Sequence, residues 1–279
     1  MDWRSSLEIY DLATGQCRVI FQTPRLIEAP NWHRDGWFLV NGDGRLWRID
    51  PQRPDLRAID TGGLIRCNND HGFLDDGRIV FSCHNDQGSG IYVLNPDGPA
   101  EMLSERPSWW HGAGRGAITY ACVRGRDRVV RIALLDLASG RETVLSPGPG
   151  HHDGPDLSPC GAYVWFNSDR GGHAQIWRVP SAGGDAEQVF KDRHVNWFPH
   201  PSPDGRHVLY LAYPPGTEGH PRDLDVGLWL MAPDGSDRRQ VVALFGGQGT
   251  INVPCWAHDG HAFAFMRYRP LAQDKAPAM

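Results

Sequence analysis

At 279 residues the chain is too long for one small domain and reads as either two domains or one large all-β domain. Its 33 glycines, 22 prolines and 11 tryptophans suit many short strands joined by tight turns. The formal charge of −5 includes no basic block, which excludes nucleic acid as a partner, and no apolar run of about 18 residues exists to enter a membrane.

In chain order, the first elements are two short strands at residues 7–12 and 17–21, joined by the turn Ala13-Thr14-Gly15-Gln16. A unit then recurs: a turn ending in Gly, followed by an apolar alternating strand. Its turn glycines are Gly36, Gly77, Gly116, Gly161, Gly205 and Gly260, spaced 41, 39, 45, 44 and 55 residues apart. A second strand follows in most units, as in Leu46-Trp47-Arg48-Ile49, Ile91-Tyr92-Val93-Leu94 and Ile176-Trp177-Arg178-Val179. Polar turns such as Asn95-Pro96-Asp97-Gly98 and Ala232-Pro233-Asp234-Gly235 then lead to a last short strand.

The period fits a four-stranded propeller blade. The expected fold is therefore all-β, a six-bladed β-propeller of four-stranded antiparallel blades. The sixth unit stops after two strands, near Arg267, so the N-terminal strands are expected to complete it and close the ring. Residues 1–270 form this single domain, and 271–279 a disordered tail. The six cysteines, scattered singly without a Cys-x-x-Cys pair, read as reduced, buried thiols on strands. With no apolar stretch at its N-terminus, the protein is expected in the cytoplasm.

In such a meander the start of each first strand faces one channel mouth. Glu28 stands there in the first blade, Asn68-Asn69-Asp70-His71 in the second and Trp109-Trp110-His111 in the third. The remaining blades bring His151-His152-Asp153, Asn196-Trp197-Phe198-Pro199-His200 and Gln248-Gly249-Thr250-Ile251-Asn252. A long loop from Tyr213 to Val226 brings His220 to the same face. Each side chain alone is open to an ordinary structural role as a turn cap or packing residue. Their convergence marks the mouth as the candidate site.

Two chemistries fit these residues. One is a divalent metal, for which manganese, zinc and iron are candidates, held by His71, His111, His200 and Gln248, with Asp153 as an alternative ligand. The other is metal-free binding of a sugar or sugar acid, with Trp110 and Trp197 as stacking platforms and Asn69, Asp70, Asn196, His220 and Asn252 on hydroxyls. Arg66 stands where it would pair with a substrate carboxylate, and His152 or Asp153 where a general base is needed.

The units Ser158-Pro159-Cys160-Gly161 and Ser202-Pro203-Asp204-Gly205, with their Gly-Gly turns and Ile-Trp strands, resemble TolB-type propeller repeats of the PD40/WD40-like kind over residues 7–268. That resemblance implies the propeller, and with it a non-catalytic module that binds a protein partner. The stretch Asn196-Trp197-Phe198-Pro199-His200-Pro201 is similar to the Gln-x-His-Pro-His-Pro channel motif of oligogalacturonate lyases, manganese-binding propellers; His200 and two prolines match. This second resemblance implies a metal-assisted lyase that performs β-elimination on an oxidised or acidic sugar. A sugar lactonase or isomerase using the same metal position is a third option.

Overall fold

The computed structural model describes residues 4–96, 98–104, 107–146 and 148–269. Strands β1 (Ser5–Asp11) and β2 (Gln16–Thr23) come first. The first blade follows as β3 (Glu28–Trp32), β4 (Phe38–Gly42), β5 (Arg45–Asp50) and β6 (Arg53–Ala58), and the second as β7 (Cys67–Phe73), β8 (Ile79–Asn85), β9 (Gly88–Val93) and β10 (Glu101–Met102). The third contains β11 (Ser108–Gly114), β12 (Ala117–Cys122), β13 (Arg131–Asp136) and β14 (Glu142–Val144). The fourth contains β15 (His152–Leu157), β16 (Tyr163–Ser168), β17 (Gln175–Pro180) and β18 (Glu187–Gln188). The fifth contains β19 (Val195–Pro201), β20 (Val208–Tyr213), β21 (Arg222–Met231) and β22 (Arg239–Gly247), and β23 (Ala262–Tyr268) ends the described chain.

Five sheets are four-stranded meanders in sequence order, and the sixth runs β2-β1-β23. The expected ring closure is therefore present: β1 pairs antiparallel with β23 from Ser5↔Tyr268 to Asp11↔Ala262. The first strand of this last blade is irregular. Only the bridge Trp256↔Phe263 marks it, although the Ala264 N–H still donates to Cys255 and the Met266 N–H to Thr250. The first strands of neighbouring sheets contact one another around the centre, as β3 with β7, β7 with β11, β11 with β15 and β15 with β19. The apolar core lies between successive blades, as where Val80, Ile91 and Val93 of the second blade meet Ile118, Tyr120 and Ala133 of the third.

Two expectations need correction. Cys17 and Cys160 are exposed, because Cys17 lies on an outer strand and Cys160 in a turn. The loop carrying His220 is shorter than expected, since β21 begins at Arg222 and extends the hairpin with β22 as far as Arg222↔Gly247. The tail at 271–279 and Asp97 of the expected turn lie outside the described residues. Among those residues no helix is long and apolar enough to cross a membrane.

Candidate functional site

Every regular first strand breaks its register at a similar depth. The shifts fall between Glu28 and Asn31, Cys67 and His71, Trp110 and Gly112, Asp153 and Asp156, and Trp197 and His200. In three of them a proline sits inside the break: Pro30, Pro155 and Pro199. Proline has no N–H to give the ladder, so the strand opens there. The residue before each proline takes a left-handed backbone, at φ 56° for Ala29, 58° for Gly154 and 54° for Phe198. For a bulky residue such as Phe198 this is a strained conformation. Bulges re-aim side chains, and here they turn Asp70, His111 and Phe198 toward the channel mouth.

Gly154 is the tightest of these points. A Cβ there would lie 2.7 Å from Asn167 Oδ1 and 3.0 Å from Phe198 Cδ1. We expect Gly154→Ala to cost about 1–3 kcal/mol in urea unfolding, since both backbone and space oppose it. A cost within experimental error would show that this bulge is not rigid.

The mouth holds a cavity of about 350 Å³. Its walls include Trp109, Phe198, Val130 and Ala121, and its polar lining includes Asn68, Asn69, Gln248 and Asn252. At its centre is a network of ionisable groups. Asp153 Oδ1 lies 3.0 Å from His111 Nε2, while its Oδ2 lies 3.5 Å from His151 Nε2 and 3.8 Å from His220 Nε2. His111 Nδ1 faces the Asn252 carbonyl at 3.3 Å. A carbonyl and an ionised carboxylate are both acceptors, so this setting favours a ring that carries both protons. His111 is therefore an imidazolium. Burial opposes that charge, but Asp70 and Asp153 outweigh it and push the pKa up to about 9. Burial also works against the Asp153 charge, yet the His111 and His151 rings beside it hold its carboxyl well below the ordinary range.

Asp70 differs. It accepts from Asn68 Nδ2 and, at 2.8 Å, from Asn252 Nδ2, and its distance to His111 Nε2 is 4.0 Å. Burial, with Asp153 adding to it, pushes the Asp70 carboxyl up to about 6.

Of the expected site residues, Asn69, Asp70, His111, Asp153, His220, Gln248 and Asn252 line this cavity together. The others do not. His71 is fully buried, with Nδ1 on Asn31 Oδ1 at 2.7 Å and Nε2 on Asn41 Oδ1 at 3.2 Å; burial lowers its pKa to about 3. His200 is held by Asp156 at 2.9 Å and the Ile251 carbonyl at 2.7 Å. His152 packs edge-on to Phe166 beside Arg170, and burial lowers its pKa to about 4, out of the range for a base at neutral pH. Asp153, although at the mouth, is too acidic in its histidine cluster for that task. Trp110 turns into the core between the second and third blades and lines a separate cavity of about 380 Å³ at the opposite end of the channel. Asn196 is tied to Asp192 and Gln175, and Trp197 lies behind His220 at 4.4 Å, where it offers no open platform. Arg66 stays on the rim beside Asp86.

Trp109, His151 and Phe198 also line the cavity; each stands in a mouth segment read from the sequence, one residue away from a position given a role there. For His151 and Phe198 a nearby signal was the proline of the break, Pro155 or Pro199; the break beside Trp109 contains no proline.

A divalent ion held by His71, His111, His200 and Gln248 does not fit. Both nitrogens of each histidine are already engaged, and His71 and His200 lie outside the cavity lining. The histidines that do converge point at a carboxylate. Among the described residues no group of three or more His, Cys, Asp or Glu is arranged to hold a metal ion.

No family model matches the chain. An uncharacterized protein of Agrobacterium fabrum is 43% identical over 274 residues, covering 96% of this chain and 94% of its own. A solved structure from Agrobacterium tumefaciens, provisionally described as TolB, is 42% identical with a TM-score of 0.93, covering 97% of this chain and all of the other. TolB from Acinetobacter baumannii superposes with a TM-score of 0.65 at 15% identity, over 88% of this chain and 65% of the other. An oligogalacturonate lyase in complex with manganese does so at 0.56 and 14% identity, over 92% and 70%. At such identities the last two share the fold alone.

Proposed function

The chain belongs to the TolB-like β-propeller family, and on that premise we propose that it is a binding module whose channel mouth receives a segment of a protein partner. One observation carries this reading: a small cavity in which aromatic walls stand beside the four amide side chains of Asn68, Asn69, Gln248 and Asn252. Amides pair with peptide groups through both donor and acceptor, and aromatic residues are the usual anchors of protein interfaces. The volume lies at the low end of the range for ligand pockets, about 300–1,000 Å³, and suits one or two side chains better than a polysaccharide. A photo-crosslinking residue placed at Gln248 is expected to capture one discrete polypeptide in cells. Metal-dependent release of unsaturated sugar acids from oligogalacturonate would instead overturn this reading.

The second reading, a lyase acting on an acidic sugar, draws on Asp70, whose carboxyl at about 6 is suited to proton abstraction near neutral pH. The cavity opposes it. An acidic sugar would meet Asp70 and Asp153, the His111 imidazolium is already paired with Asp153, and among the described residues no Lys or Arg lines the site.

A reducing compartment such as the cytoplasm is part of the same proposal. Cys67 and Cys83 face each other across β7 and β8. Directly paired antiparallel residues have Cα atoms about 4.5–5.5 Å apart, within the span of a disulfide. An oxidising compartment would tend to join them. Mass spectrometry of protein isolated under alkylation from its own host is expected to find no disulfide between Cys67 and Cys83; finding one would place the protein elsewhere.

A further inference from the structure

The site's polar groups are not all satisfied. Asn252 is 2% exposed and lines the mouth cavity. Its Nδ2 donates to Asp70, which fixes the amide orientation, and its Oδ1 has no hydrogen-bond partner. A buried acceptor left without a donor is costly. Asp70 is in a related position. Two amide hydrogen bonds reach it, but no cation lies within hydrogen-bond distance. His111, the imidazolium of the site, spends both N–H groups on Asp153 and on the Asn252 carbonyl. Burial and the neighbouring Asp153 make the Asp70 charge harder to hold in the free protein, as its raised pKa records. A carboxylate and an unused amide oxygen, joined through one Asn side chain, thus stand in one cavity with no Lys or Arg among its described lining residues.

We propose that the mouth is a receptor for one cationic group, an alkylammonium or guanidinium, that bonds to the Asp70 carboxylate and to Asn252 Oδ1, and that it is supplied by a lysine or arginine side chain of the partner segment. The proposal rests on the polypeptide reading above. An N–H cation supplies only donors, which is what both oxygens need. Its apolar stem would lie along Trp109 and Phe198, the aromatic walls of the same cavity. An anionic group would place a third negative charge beside Asp70 and Asp153.

The test selects binders from a random peptide library on the wild-type protein. Isothermal titration then compares the best peptide with analogues in which each Lys or Arg becomes norleucine. One basic residue is expected to matter by about tenfold or more, and Asp70→Asn, which keeps an acceptor for Asn252, is expected to abolish that difference. The norleucine comparison needs only wild-type protein and stays decisive if the variant folds poorly. Peptides that compete for the mouth with no basic residue required would overturn the cation proposal and leave the polypeptide reading standing. Binding of n-butylammonium that depends on Asp70, with no peptide bound, would uphold the cation site and overturn the polypeptide source. Binding of neither probe would overturn the proposal outright.

Discussion

Asp153→Asn is expected to lower stability by about 3–5 kcal/mol near neutral pH, because it removes the nearer carboxylate of the buried His111 imidazolium and leaves only Asp70, at 4.0 Å. The pH dependence gives the sharper readout. The pKa of His111 in the folded protein, about 9, lies above its ordinary 6.5. Its contribution is therefore present in full below 6.5 and is lost as pH rises through about 9. The raised pKa corresponds to a loss on the order of 3 kcal/mol. Asp153 contributes with the opposite sense: its depressed pKa stabilises above the ordinary 3.8, and that contribution disappears as pH falls through the folded value. Asp70 and His71 titrate at about 6 and about 3, outside the alkaline window. Urea unfolding of both proteins at about pH 7 and about pH 10 should show a large alkaline loss in the wild type and a smaller one in the variant. Buried thiols and phenols that titrate at high pH are common to the two and cancel in the comparison. Equal alkaline losses would mean that the His111–Asp153 pair is not what holds the mouth together.

A chain that begins at Pro24 is expected not to fold as a stable monomer. It would lack β1 and β2 and expose the edge of β23 from Ala262 to Tyr268. Leu7, Ile9 and Tyr10 are buried in the closed blade, and Ile20 and Phe21 are partly buried. Their loss removes roughly 8–15 kcal/mol of apolar burial, comparable with the whole stability of a typical domain, about 5–15 kcal/mol. The Arg267–Glu8 pair, at 2.9 Å, would go with them. Size-exclusion chromatography and thermal unfolding test this. A truncated chain that melts within a few degrees of the full one would show that the ring does not depend on this closure. Adding the 4–23 segment as a separate peptide is expected to restore folding in part.

The mouth was only partly legible in the sequence. Asp70, His111, Asp153, His220, Gln248 and Asn252 were expected there and line one cavity. His71, His152, His200 and Trp110 sit on the same strands at neighbouring positions, yet face the spaces between blades or the opposite end of the channel. Composition does not separate the two sets, since both hold buried histidines close to acids or amides. A first strand that keeps its period of two places alternate residues on one face. One added residue exchanges the faces. His111 is such a residue, lying between Trp110↔Tyr120 and Gly112↔Thr119.

The sequence by itself determined the architecture: six repeats of turn and strand, and N-terminal strands that complete the last blade. Those signals are local. A glycine turn and an alternating strand specify their hairpin wherever they stand, and the repeat length then leaves the ring as the way to bury the faces. Only the tertiary structure decided what the channel mouth contains. Where a strand bulges depends on the ladder partner across from it, and which histidines are charged depends on the carboxylates that other blades bring near them. His111 is an imidazolium because Asp153 of the next blade and the Asn252 carbonyl of the last one both accept from it, at separations of 42 and 141 residues along the chain.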